Sequence, residues 1–268
     1  MKKLFFSVLS LAVALIFPSC LEYETEVTLN KNGSGTITEE MVMGAQMIGM
    51  MEMAAAQGGQ QKNPLADMRD EAKLKEKARE YGEGVAFAKV EDIKRKDGAK
   101  GVRVTYTFSD INKITISPGG GMDQLGELQP GTKIEKTADD AKATFKYADN
   151  ELTINLPQPE EEEDQGTPDE GNAGGGEIDP QMAMMAEMMK GMKMGAKVIV
   201  APGIAKTNAS HHEENTIILF ELDFDEVMKN PGGLNALNGL DKKNPGEALK
   251  KIKGAKVESQ SKITATVK

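Results

Sequence analysis

Apolar and polar residues alternate at period two in several stretches of the chain, which is the pattern of a half-buried β-strand. In residues 22–29 the apolar or Thr positions alternate with three glutamates. A segment rich in Asn and Gly, residues 30–35, leads to a second extended stretch at residues 36–38, so that a β-hairpin is predicted. The same pattern predicts two more hairpins, in which residues 85–93 pair with 102–108 and residues 143–147 pair with 152–156.

Three other stretches have the apolar periodicity of an α-helix. Residues 39–57 and residues 180–196 are rich in methionine, and each stretch predicts one helix. Residues 64–81 predict a third, charged helix, because Asn63 precedes a proline at the first turn and Gly82 follows as a typical stop.

After residue 196 the chain returns to short segments. Residues 197–200, 216–224 and 263–267 predict strands, a turn is expected at Pro202 and Gly203, and residues 225–229 and 247–252 predict short helical segments. Strands and helices do not follow a strict β-α-β alternation. The sequence therefore predicts an α+β fold of mostly antiparallel sheet hairpins, packed with two Met-rich helices and one charged helix.

Residues 157–179 separate two parts of the chain. They include nine acidic residues, no Lys or Arg and almost no apolar residue, so that they cannot bury enough surface to offset their ordering entropy. We expect an acidic flexible linker or loop, in which the acid run that begins at Glu160 is more typical of solvated charge than of a calcium site. The predicted organisation is a signal peptide at 1–19, an N-terminal α+β region at 20–156, this linker, and a C-terminal α+β region at 180–268 that can complete the same sheet.

The chain begins with a pattern typical of bacterial lipoprotein signals. Two lysines precede an apolar run at residues 4–17, which is too short for an ordinary membrane span, and Ser19 precedes Cys20, the one cysteine of the sequence. We therefore expect cleavage before Cys20 and lipidation of Cys20, so that acyl chains anchor the mature protein in the cell envelope. A secreted protein with a free thiol is the alternative. Leu21 is not the aspartate that commonly retains lipoproteins at an inner membrane, which favours an outer membrane or the cell surface.

Composition narrows the classes of function. The 268 residues carry 33 Lys and Arg against 42 Asp and Glu, and this balance offers no basic excess for a nucleic-acid backbone. Hydrolase elbows, zinc-protease helices, phosphate loops and dinucleotide motifs are absent from the sequence, which predicts a non-enzymatic protein without a cofactor. His211 and His212 precede two glutamates, but adjacent residues point apart in a strand, so that a solvated loop is expected there in place of a metal site.

Methionine is over-represented, with 17 residues, and its clusters are the candidate binding site. Flexible, polarizable thioethers fill irregular cores, line apolar surfaces that adapt to lipid chains or partner helices, and also select Cu(I). Core packing, an adaptable groove and a copper site are therefore three interpretations of the same residues. The groove hypothesis assigns Met47, Met50, Met51, Met182, Met185, Met188, Met189 and Met192.

Two segments resemble the LppM-like family of bacterial envelope lipoproteins, which is a domain family of unknown function. Residues 22–29 and the turn Asn32-Gly33-Ser34-Gly35 are similar to the strand and hairpin turn that follow the lipidated cysteine in that family. Residues 198–203, Asn208 and the pair Asn215-Thr216 are similar to a later strand and turn. The resemblance implies an extracytoplasmic α+β module with an apolar surface or cavity suited to lipid or glycolipid, and not a catalyst.

The leading hypothesis is a membrane-anchored, non-enzymatic lipoprotein whose Met-rich helices bind a lipid or an apolar envelope partner. One alternative is a Cu(I)-handling envelope protein that uses Met thioethers. The other alternative is a structural spacer, in which the acidic linker sets the distance from the membrane.

Overall fold

The computed structural model describes residues 21–56, 64–119, 142–157, 189–229 and 252–268. Its helices are α1 (Ala45–Ala56), α2 (Pro64–Asp67), α3 (Glu71–Glu80) and α4 (Phe224–Met228), with a 3-10 turn at Ile111–Lys113. Its strands are β1 (Leu21–Leu29), β2 (Gly35–Met43), β3 (Ala86–Lys94), β4 (Lys100–Phe108), β5 (Thr115–Ile116), β6 (Ala143–Ala148), β7 (Glu151–Asn155), β8 (Lys193–Val200), β9 (Ile204–Thr207), β10 (His212–Glu213), β11 (Thr216–Asp223), β12 (Ala255–Val257) and β13 (Lys262–Val267).

The first sheet has the strand order β10-β11-β8-β1-β2-β4-β3, and β12 also pairs with β11. The central strand β1 pairs antiparallel with β2 and parallel with β8. The other pairings of this sheet are antiparallel. Burial alternates along β1 as the sequence predicts, because one face of the sheet packs on the core and the other face is polar.

The second sheet has the order β5-β6-β7-β13-β9, and all its pairings are antiparallel. Its hairpin β6-β7 turns at Asp149 and Asn150, whose φ angles of 51° and 60° lie in the left-handed region that these residue types tolerate. The Tyr147 hydroxyl donates a hydrogen bond to the Lys31 carbonyl at 3.1 Å, which joins this sheet to the β1-β2 turn. Buried residues of both sheets form one hydrophobic core cluster.

The predicted charged helix at residues 64–81 is divided into α2 and α3. The Asp70 side chain starts the second, because it accepts hydrogen bonds from the backbone N–H groups of Ala72 at 3.0 Å and Lys73 at 3.4 Å. The stop at Gly82 is confirmed. Gly82 has a φ of 135°, and a Cβ there would lie 2.0 Å from the Lys113 carbonyl oxygen.

The boundaries of both predicted Met-rich helices are wrong. Residues 39–43 belong to β2, where Met41 pairs with Tyr23 and Val102, and the helix α1 begins only at Ala45. Residues 193–196 belong to β8 and lie between β1 and β11. In both segments sheet pairing on two sides outweighs the helical propensity of Met, Ala and Glu. Residues 180–188 lie outside the described residues.

The sheet-dominated α+β fold class, the three hairpins, the strands near residues 197, 216 and 263, and the helical turn α4 are confirmed. The signal peptide, Cys20, the linker at 158–179 and most of the predicted helix at 247–252 lie outside the described residues, and the division into two regions stays a prediction. Within the described ranges, no helix is both long and apolar enough to cross a membrane.

Candidate functional site

Methionines flank β1 at one end of the first sheet. The strand register puts Met41 of β2 and Met194 of β8 on either side of Tyr23, and Met43 opposite Leu21. Just before β8, the Met192 carbonyl accepts a hydrogen bond from the Phe224 N–H at 3.0 Å. All four methionines are buried, with exposed fractions of 4% or less. We call this part of the molecule the methionine end, defined by Leu21, Tyr23, Met41, Met43, Met192, Met194 and the helix α1.

Helix α1 follows directly on β2 at the methionine end. It begins two residues after β2, and its Met47, Ile48 and Met51 are half-buried against the core. Met53 is 65% exposed and is the one large hydrophobic residue that lies exposed among the described residues. Since α1 has only two polar side chains, Gln46 and Glu52, it leaves apolar surface in contact with solvent.

The structure describes only some of the residues of the groove hypothesis. Met47 and Met51 lie half-buried on α1, Met189 is half-buried against the core, and Met192 is buried. Met50 belongs to α1, but its side chain lies outside the described part of the protein. Met182, Met185 and Met188 also lie outside it.

Three buried members of the cluster, Met41, Met43 and Met194, are not part of the groove hypothesis. Burial alternates along β2 as far as Glu40, but the residue types do not, because Glu39 on the buried face is as polar as Glu40. Glu and Met favour helices, so that the local sequence predicts a helix where β2 continues. Met194 likewise lies in a strand, β8, where the local sequence predicts a helix.

A buried carboxylate, Glu39, lies on the core face next to the methionine end. It is 2% exposed, and its oxygens accept hydrogen bonds from the Tyr23 hydroxyl at 2.7 Å, the Lys77 ammonium at 2.7 Å and the Tyr106 hydroxyl at 3.5 Å. The Tyr81 ring packs against the Tyr106 ring with centroids 5.2 Å apart. We call these five residues the tyrosine network. Sequence reasoning missed it, because a lone acid in a strand gives no sign that its side chain faces the core.

The tyrosine network holds Glu39 ionised. Burial alone raises the pKa of Glu39, but the Lys77 charge and the hydrogen bonds from Lys77, Tyr23 and Tyr81 bring that pKa below its ordinary value of 4.5. Burial, followed by the Glu39 charge, raises the pKa of all three tyrosine hydroxyls well above 10. A carboxylate with a lowered pKa and neutral phenols are poor proton carriers near pH 7. The network therefore attaches α3 to the sheet, since Lys77 of α3 contacts Glu39 of β2.

The opposite face of the first sheet is polar and charge-compensated. The Arg95 guanidinium forms two hydrogen bonds with the Glu22 carboxylate, at 2.8 and 2.5 Å, and Arg103 contacts Glu40 at 2.6 Å. Lys197 pairs with two glutamates of β1. Partly exposed pairs of this kind contribute little stability each, and they give this face no strong charge of either sign.

The histidine pair is in an exposed edge strand and its flank. His212 belongs to β10, while the His211 N–H and the Ser210 N–H donate to the buried Glu258 carboxylate at 3.4 and 2.8 Å. Glu258 thus fixes this loop through backbone groups. Among the described residues, no group of three or more His, Cys, Asp and Glu side chains is arranged to hold a metal ion.

Comparison with known proteins gives limited information. No protein family and no curated protein matches the sequence. Among solved structures, the chain is similar to the NMR structure of the folded domain of LppM from Mycobacterium tuberculosis, with 11% identity over 78% of this chain and 86% of that one. The TM-score of that superposition is 0.29, so the similarity carries no argument about fold or function.

Proposed function

We propose that this protein is a lipid-anchored, non-enzymatic protein of the cell envelope that binds the acyl chain of a lipid, or an apolar segment of an envelope partner, at its methionine end. The anchor is Cys20, and the binding residues are those methionines of α1 and of the segment before β8 that are not fully buried. The protein needs no cofactor in this role.

The observation that carries the proposal is the surface of α1. Met47, Ile48 and Met51 are half-buried against the core, Met53 is exposed, and the strand that leads into α1 ends in the buried Met41 and Met43. Unbranched thioether side chains change rotamer at low cost, so that such a surface can adapt to an apolar ligand without the loss of a fixed packing arrangement. An apolar helix over a deformable core is typical of sites that accept several apolar shapes.

Native mass spectrometry of the mature protein, released gently from a bacterial envelope, tests this proposal. We expect a stoichiometric lipid in addition to the acyl chains on the cysteine. The variant Met47→Asn plus Met51→Asn should lose this adduct, while the matched control Thr105→Gln plus Thr107→Gln, on the polar face of the sheet, should keep it. A folded double Met variant that retains the adduct would refute the proposed site.

The alternatives give different results in the same experiment. A copper adduct that resists a competing chelator would support Cu(I) handling. A mass without adduct, in a protein that also captures no apolar peptide or fluorescent fatty acid, would support the spacer hypothesis. That hypothesis predicts that proteolysis within residues 157–179 removes no binding activity. Either result contradicts the lipid-binding proposal.

A further inference from the structure

The lipid anchor and the methionine end lie at the same end of the first sheet. Cys20 is bonded directly to Leu21, which is the first residue of β1 and pairs with Met43, the last residue of β2. The other end of β1, at Leu29, is about 26 Å away, since a strand rises about 3.3 Å per residue. The residue that follows Cys20 therefore lies at the methionine end, and the hairpin turn at residues 30–35 is at the far end.

The exposed face of α1 is apolar at its centre. At 100° per residue, the exposed residues Ala45, Ala56 and Met53 share one sector about 120° wide, and Gln46 and Glu52 lie at its two borders. This arrangement is suited to a shallow apolar layer with polar surroundings, because the apolar centre can enter the layer while both borders stay hydrated.

A cationic turn lies next to the start of α1. The β3-β4 turn touches the helix, since a Cβ at Gly98 would lie 3.2 Å from the Ala45 Cβ. Lys94, Lys96 and Lys100 are exposed in or beside this turn, and none of them has an ion pair with another described residue. The fourth cation of the turn, Arg95, is neutralised by Glu22. Asp97 is the turn's one acid, and its carboxylate accepts a hydrogen bond from the Ala99 N–H at 3.0 Å.

We infer that the methionine end rests on the anionic phospholipid surface of the membrane that holds the anchor, with the exposed face of α1 at the acyl boundary and Lys94, Lys96 and Lys100 at the headgroups. This inference rests on the lipid anchor of the proposed function but does not need a bound ligand. The acyl chains on Cys20 hold the protein at the membrane, and a second contact next to the anchor fixes which face of the protein lies on the surface. Each lysine near an anionic surface strengthens that contact about fivefold.

The test uses the lipidated full chain on vesicles of phosphatidylcholine with and without phosphatidylglycerol. Because Cys20 is the one native cysteine, an introduced cysteine can be labelled alone with an environment-sensitive fluorophore. The reporter at Met53→Cys, or at Ala56→Cys as a second exposed position on α1, should shift to the blue on anionic vesicles. The matched control at Lys31→Cys, in the far turn, should keep the emission that the fluorophore has in water.

Neutralising the turn tests the charge part of the inference. The variant Lys94→Gln, Lys96→Gln, Lys100→Gln should lose the blue shift of the α1 reporter, whereas the same three substitutions at Lys75, Lys89 and Lys146, away from the turn, should leave it unchanged. If the protein floats with the vesicles but the α1 reporter keeps the emission that it has in water, the inference is overturned and the anchor stays intact. Protein that fails to float with the vesicles overturns the anchor, and with it both proposals.

Discussion

Replacement of Glu39 tests whether the tyrosine network is a satisfied structural ion pair. The carboxylate is 2% exposed and accepts hydrogen bonds from Tyr23 and Lys77, both at 2.7 Å, as well as from Tyr106. In Glu39→Leu the Lys77 ammonium can turn to solvent, because its side chain is 32% exposed, but the tyrosine hydroxyls of the network stay buried and lose their acceptor. Removal of one partner of a buried pair costs about 3–5 kcal/mol, and the partial exposure of Lys77 puts our expectation at about 3 kcal/mol.

The milder variant Glu39→Gln keeps an acceptor and loses the charge, so that we expect a loss of about 1.5–2 kcal/mol. Urea unfolding of both variants, followed by far-ultraviolet circular dichroism, measures these losses as shifts in the midpoint at an unchanged m-value. A double-mutant cycle with Lys77→Met measures the interaction between Glu39 and Lys77 apart from their other contacts, and we expect a coupling free energy of about 1–2 kcal/mol. A loss below about 1 kcal/mol in Glu39→Leu would refute the network as a structural element.

The same carboxylate predicts how stability depends on pH. The pKa of Glu39 is lower in the folded protein than its ordinary value of 4.5, so that the unfolded chain binds more protons in acid. The contribution of ionised Glu39 to the free energy of unfolding is therefore complete above pH 4.5, and it is lost as pH falls through the pKa of Glu39 in the folded protein. Urea midpoints measured down this range should fall more steeply for the natural protein than for Glu39→Gln, and parallel curves would contradict the assignment.

The remaining predictions concern other parts of the fold. The three buried hydroxyls of the tyrosine network should not ionise near pH 10 and should titrate only together with global unfolding. Tyrosinate absorbance measures this titration, and a normal titration in the folded state would contradict their burial. Asp70→Ala should cost about 1 kcal/mol in chemical unfolding through loss of the cap of α3, and Asp70→Asn should restore most of it. Gly35→Ala should prevent the β1-β2 hairpin from closing, since its Cβ would lie 1.8 Å from the Thr28 carbonyl oxygen, whereas Gly49→Ala, with open space around it, should fold normally by circular dichroism.

Local patterns predict the hairpins well because both partners of a hairpin are close in sequence. The turn at Asp149 and Asn150 is an example, since these residue types tolerate positive φ and the flanking residues alternate. Where the partner is distant, the local pattern misleads. Residues 39–43 have helical propensity, and the distant strand β4 adds a second pairing partner to the hairpin partner β1, so that these residues form a strand.

The candidate site was predictable in part. Methionine clustering identified α1 and the segment before β8, but it did not reveal which thioethers are in the core, because burial of Met41 and Met194 depends on strand register. Glu39 has no signal in the sequence at all. Its environment is created by α3 with its C-cap Tyr81 and by tyrosines of β1 and β4, which are brought together only by the tertiary fold.

The parallel pairing of β1 with β8 has a consequence for how the chain folds. Val27 pairs with Val198, so that the central strand of the first sheet gains one of its two neighbours only after most of the chain has been synthesised. Contacts of such long sequence separation form slowly, because the loop between them must close first. Until then the β1 edge of the four strands β1-β2-β4-β3 is open, and an open strand edge pairs readily with other chains. This topology therefore makes the incompletely synthesised chain prone to pair with other chains through the β1 edge until β8 arrives.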